Sequence, residues 1–109
     1  MKVITLCGST RFKNEFRKVE EALTLVGNAV ISLGFFDKSD NIPITKAQEE
    51  MFAEIHFKKI DLADEIFVID VNGYIGESTA NEIKYAIQHG KAVRYYSKSK
   101  LALEEKNNL

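Results

Sequence analysis

Glu65-Ile66-Phe67-Val68-Ile69-Asp70-Val71, entered through Ala63-Asp64, is the stretch that decides the fold. Its apolar positions run without a polar break, so the pattern is that of a strand buried on both faces, as in the middle of a parallel sheet. Working back, Thr45-Lys-Ala-Gln48 is a reciprocal capping box. It predicts a helix leading into that strand, with Met51, Phe52, Ile55, Lys59 and Leu62 on or near its inner face. Working forward, Asn72 to Gly76 reads as a loop, Thr79 to His89 as a helix closed by Gly90, and Ala92 to Tyr96 as another strand.

The N-terminal half repeats the alternation. Residues 2–7 form a short apolar run that stops at Gly8-Ser9-Thr10. Phe12, Phe16, Val19, Leu23 and Val26 then recur at helical spacing up to Gly27, and Ala29 to Leu33 is a further apolar run. A polar connection from Gly34 to Pro43 is expected to rise over the sheet. Leu101 to Lys106 suggests a short final helix. The order β-α-β-α-β-α-β implies parallel strands joined by helical crossovers. The expected class is α/β, a compact Rossmann-like three-layer sandwich with a four- or five-stranded parallel sheet.

The 109 residues, 45% hydrophobic and 28% charged, suit one domain spanning 1–109 and bound other possibilities. Fifteen basic and sixteen acidic residues leave a net charge of −1, which disfavours duplex nucleic acid as a partner. The lone Cys7 has no internal disulfide partner and no Cys/His grouping has zinc-ligand spacing, so no metal is expected. The apolar N-terminal run is far shorter than a membrane span and shows no signal-peptide cleavage site, so the expectation is a cytoplasmic protein without a membrane partner. A small-molecule ligand remains.

In such sheets ligands sit beyond the carboxyl ends of the strands, where helix N-termini offer free N–H groups. Gly8-Ser9-Thr10-Arg11 fits a phosphate cradle there: Gly8 permits close approach, Ser9 and the helix N–H groups hold anionic oxygens, and Arg11 offers a bidentate fork. The same residues also fit a Ser or Thr N-cap beside a surface Arg. They match neither the dinucleotide fingerprint nor a P-loop, so NAD and ATP are not favoured and no cofactor is expected.

After the central strand comes Gly76-Glu77-Ser78-Thr79-Ala80-Asn81-Glu82. Glu77 and Glu82 stand roughly 140° apart around a helix, so both cannot face one ligand. Glu82 falls at the edge of the apolar stripe, where partial shielding suits a neutral or nucleophilic carboxylate. Thr79 to Glu82 also fits a plain capping box. A lone helical His such as His56 is more often a surface or hydrogen-bonded residue than a catalyst, yet its pKa range suits proton transfer. Asp70 and Asn72 are placed to hydrogen-bond a sugar or base, with Asp70 equally able to cap the turn. Cys7 is most simply a small core residue.

Leu6-Cys7-Gly8-Ser9-Thr10-Arg11, Ala63 through Asp70, and Asn81-Glu82-Ile83-Lys84-Tyr85-Ala86 leading to Gly90-Lys91 together resemble the nucleoside 2-deoxyribosyltransferase superfamily, which includes the 2′-deoxynucleoside 5′-monophosphate N-glycosidases. The resemblance implies cleavage of the bond between a nucleobase and a (deoxy)ribose by a catalytic Glu matching Glu82. It further implies that Gly8, Ser9, Arg11, Gly76 and Ser78 surround a 5′-phosphate, and that the chain is a homodimer, with the segment from Ser97 to Leu109 a candidate contributor. Where the family commonly has an Asp before the central strand, the nearest match is His56, as acid or orienting group. Asn81 and Lys84 also depart from the small residue and Gly common around the family's Glu. A deoxyribosyltransferase and a noncatalytic nucleotide-binding module are the alternatives.

Overall fold

The computed structural model describes residues 1–102. Strands β1 (Val3–Gly8), β2 (Ala29–Ile31), β3 (Glu65–Ile69) and β4 (Ala92–Tyr95) alternate with helices α1 (Lys13–Leu25), α2 (Lys46–Asp61) and α3 (Glu77–Gln88). Short 3₁₀ turns follow β3 at Val71–Gly73 and β4 at Tyr96–Lys98. All strand pairs are parallel, in the order β2-β1-β3-β4, so among the described residues the sheet has four strands and the expected Rossmann-like architecture is present. Most of the expected final helix lies outside the described residues. No helix among the described residues is long and apolar enough to cross a membrane.

Alternation along the strands sends successive side chains to opposite faces and so builds two cores. Ile4 and Leu6 of β1 and Phe67 and Ile69 of β3 pack with Phe16, Val19 and Leu23 of α1. Cys7, Ile66 and Val68 face the other way, against Ile60 of α2 and Ala86 of α3. Asp61 and Tyr85 bind α2 to α3, the phenol donating to the carboxylate at 2.6 Å.

β1 sits at the centre of the topology. From it the chain crosses to β2 on one side and, after α2, returns to β3 on the other, so a switch point lies between the carboxyl ends of β1 and β3. Gly8 is essential to that approach: a Cβ there would lie 3.0 Å from both Cβ and the carbonyl oxygen of Ile69. The segment after β2 is anchored by buried Phe36, whose ring meets Phe16 edge-on at 5.3 Å, and by a 2.8 Å ion pair between Lys13 and Asp40.

Three local expectations are corrected. The Thr45–Gln48 capping box is present, but α2 buries His56 and Ile60 and leaves Met51, Ile55 and Leu62 exposed. Of the five positions expected on its inner face, only Phe52 and Lys59 are half-buried. Helix α3 starts at Glu77 with Gly76 as N-cap, so Thr79 and Glu82 are interior and buried, and Thr79 caps nothing. At α1 the N-cap is Phe12, which excludes the Ser or Thr cap at Ser9 or Thr10.

Candidate functional site

The loops after β1, β2 and β3 enclose a cleft of about 840 Å³ over the switch point, within the range of small-molecule sites. Gly8, Ser9 and Thr10 line it from the β1 loop, and Gly76 and Ser78 line it from the start of α3. His56 and Glu82 lie on its floor.

Each lining segment follows from local structure. The Ser9 hydroxyl accepts from the Arg11 backbone N–H at 3.3 Å and from Nε at 3.0 Å, which turns the loop back on itself. Thr10 accepts from the N–H of Lys38 at 3.3 Å, tying the β1 loop to the segment after β2. At α3 the N-cap Gly76 has no side chain and makes no side-chain cap hydrogen bond, so among the described residues the helix start is uncapped. Such an end attracts anions.

On the floor, strand parity turns Cys7 toward α2 and α3, where it meets His56 and Glu82. His56 Nε2 lies 3.2 Å from Cys7 Sγ and 3.7 Å from Glu82 Oε1. All three residues are buried. Burial moves the Glu82 carboxyl up from 4.5 to about 7, against hydrogen bonds from the Ser78 hydroxyl and the Cys7 thiol that pull it down. Burial, reinforced by the positive charge of Lys59, moves His56 down from 6.5 to about 4. Burial and the neighbouring Glu82 push the Cys7 thiol up. At neutral pH His56 is therefore a neutral imidazole, and its closeness to Glu82 is a polar contact rather than an ion pair. With the proton on Nε2, a directional chain runs from imidazole to thiol to carboxylate.

The remaining residues expected at the site are placed as follows. Arg11 is exposed and off the cleft lining, its guanidinium 4.5 Å above the Tyr74 ring. Asp70 is buried, but its oxygens accept from the Ser97 N–H at 2.8 Å and the Ser97 hydroxyl at 2.6 Å, so it holds the turn after β4 and lies off the cleft lining. Asn72 is exposed in a left-handed turn (φ 53°), also off the lining. Glu77 is exposed at the mouth, whereas Glu82 is buried. Phe35 and Phe52 also line the cleft and meet edge-on at 5.2 Å. Phe35 and Cys7 were not foreseen as site residues; the orientation of Cys7 follows only from how β1 pairs with its neighbours.

Fold and cleft together define a Rossmann-like α/β domain with a buried carboxylate beneath its switch point. No family model, no curated protein and no solved structure matches this chain.

Proposed function

We propose that the protein hydrolyses the N-glycosidic bond of a (deoxy)nucleoside 5′-monophosphate. The observation that carries the reading is Glu82: a carboxylate buried on the floor of a ligand-sized cleft, beside Cys7 and His56 and near the β1 loop and the uncapped start of α3. Cleaving the bond builds positive charge at C1′, which a nearby carboxylate stabilises before bonding to C1′ as the base leaves and takes a proton from solvent. Water then cleaves the ester, regenerating the carboxylate and releasing the sugar phosphate. A carboxyl with a pKa of about 7 is substantially ionised at neutral pH, yet poorly solvated and so a better nucleophile.

His56 orients rather than delivers a proton, because a neutral imidazole in contact with Cys7 and Glu82 limits how the carboxylate can turn. Ser9, Gly76, Ser78 and the first turn of α3 supply donors for the phosphate, and Arg11, which rests on Tyr74 off the cleft lining, would have to swing in to join them. The Phe35/Phe52 pair and Leu33 offer an apolar wall suited to a base. Exposed Met51, Ile55 and Leu62 support a homodimer, which sedimentation at two protein concentrations tests.

The direct experiment is incubation with a panel of nucleoside and deoxynucleoside monophosphates, reading released base by chromatography. Release from at least one, lost in Glu82→Gln and requiring the phosphate, is expected. Binding without release from any of them defeats hydrolysis; release only when an acceptor base is added assigns the transferase instead.

A further inference from the structure

Cys7, His56 and Glu82 come from β1, α2 and α3, and their ligand atoms all lie within 4.8 Å of one another. They bring one thiol, one imidazole nitrogen and one carboxylate oxygen to the same point. We propose that these three side chains form a binding site for a zinc-type divalent cation, with the fourth coordination position open to the cleft.

The spacing carries the inference. A tetrahedral zinc ion with Zn–S of about 2.3 Å and Zn–N and Zn–O of about 2.0–2.1 Å places its ligand atoms roughly 3.3–3.6 Å apart. His56 Nε2 stands 3.2 Å from Cys7 Sγ and 3.7 Å from Glu82 Oε1, each within a few tenths of an ångström of those spacings, and the third pair lies within 4.8 Å. The donor set is of the mixed S/N/O kind zinc accepts, and three protein ligands with an open position is the arrangement of catalytic and exchangeable zinc sites. Charge favours it as well. Binding releases the Cys7 thiol proton, and the Glu82 proton where present, to solvent. Thiolate, carboxylate, neutral imidazole and dication then sum to zero, which suits a buried position. No sequence spacing announces such a site, because the ligands are 49 and 26 positions apart along the chain.

Resting on the glycosidase reading, one consequence is regulatory: a cation held by Glu82 occupies the nucleophile, so the loaded protein would be inactive. The site itself is tested without activity. Metal-free full-length protein is titrated with Co²⁺, whose bond to a thiolate gives a charge-transfer band in the near ultraviolet. A band saturating at one Co²⁺ per chain and displaced by Zn²⁺ is expected. Cys7→Ser should abolish the band. His56→Gln and Glu82→Gln should each weaken Zn²⁺ binding, measured by calorimetry, at least tenfold, since even outer-sphere changes at such sites cost that much. Absence of the band in the wild-type protein overturns the proposal with no variant needing to fold. Zn²⁺ affinity unchanged in folded His56→Gln and Glu82→Gln overturns it equally.

Discussion

Glu65 and Glu82 are both buried glutamates packed against the same sheet, but they keep opposite company. Glu65 opens β3 at the amino end of the strands, where Arg94 donates to it at 2.6 Å and Lys2 stands at 3.7 Å. Glu82 lies beyond the carboxyl ends, where among the described residues no Lys or Arg pairs with it and its neighbours are a thiol, an imidazole and a hydroxyl. One carboxylate is neutralised by cations on the protein. Under the readings proposed above, the other is left for a charge that arrives from outside, whether developing at a sugar carbon or carried by a metal ion. In a parallel sheet the carboxyl ends are where loops and helix N-termini gather ligands, so under the proposed function the two glutamates divide structure from chemistry along the strand axis.

The largest expected effect breaks this comparison at one end only. Glu82→Gln should lower base release by about 10³-fold or more, the scale on which loss of a nucleophile is felt. Glu65→Gln should leave the rate per folded molecule unchanged. Equal losses in both variants, measured on protein of matched folded fraction, would mean that the division does not hold.

The next effect is thermodynamic and lies at the other end. Arg94→Ala leaves Glu65 buried with only Lys2 nearby, and should destabilise the fold by about 1–3 kcal/mol in urea titration. The lower part of that range is favoured because the Arg94 side chain is itself half exposed. Unchanged stability would show that water reaches Glu65 and replaces the guanidinium.

Asp70 sharpens the contrast, being a third buried carboxylate at the carboxyl end of β3 that is nevertheless committed to Ser97. Asp70→Ala should cost about 1–2 kcal/mol through the two lost hydrogen bonds while leaving KM for the nucleotide unaltered. A raised KM with intact stability would instead return Asp70 to the ligand.

How far the sequence foretells these roles depends on the range of the interaction. The Thr45–Gln48 box is legible because it closes within three residues, and β3 because its composition leaves no other reading. The face of α2 is not legible from hydrophobicity, since the buried position belongs to a polar residue, His56, while Met51 and Leu62 stay outside. Glu82 is found through its place on α3, although the box pattern from Thr79 suggests a helix start three residues late. Asp70 and Cys7 escape because what decides them is remote: Ser97 lies 27 positions from Asp70, and Cys7 meets His56 across 49.

The smallest expected effect is also the most specific to the Glu82 end. In chelator-treated protein, folded Glu82 keeps a proton between pH 4.5 and about 7 that the unfolded chain has released. Its contribution is therefore complete below pH 4.5 and lost as pH rises to 7. His56 refuses, between about pH 4 and 6.5, a proton that the unfolded chain binds. Its contribution is complete above pH 6.5 and lost as pH falls to 4. Across pH 4.5–6.5 the two slopes oppose each other, so the pair adds almost no pH dependence to the wild-type fold. Each variant exposes the other partner. Relative to wild type, Glu82→Gln should gain stability as pH rises through this window and His56→Gln should lose it, each by at most about 1.4 kcal/mol per pH unit. Urea titrations at four or five pH values read both differences. Two flat lines, or two slopes of the same sign, would show that neither group is held in its uncharged form by burial, and the distinction between Glu82 and the cation-paired Glu65 would lose its electrostatic basis.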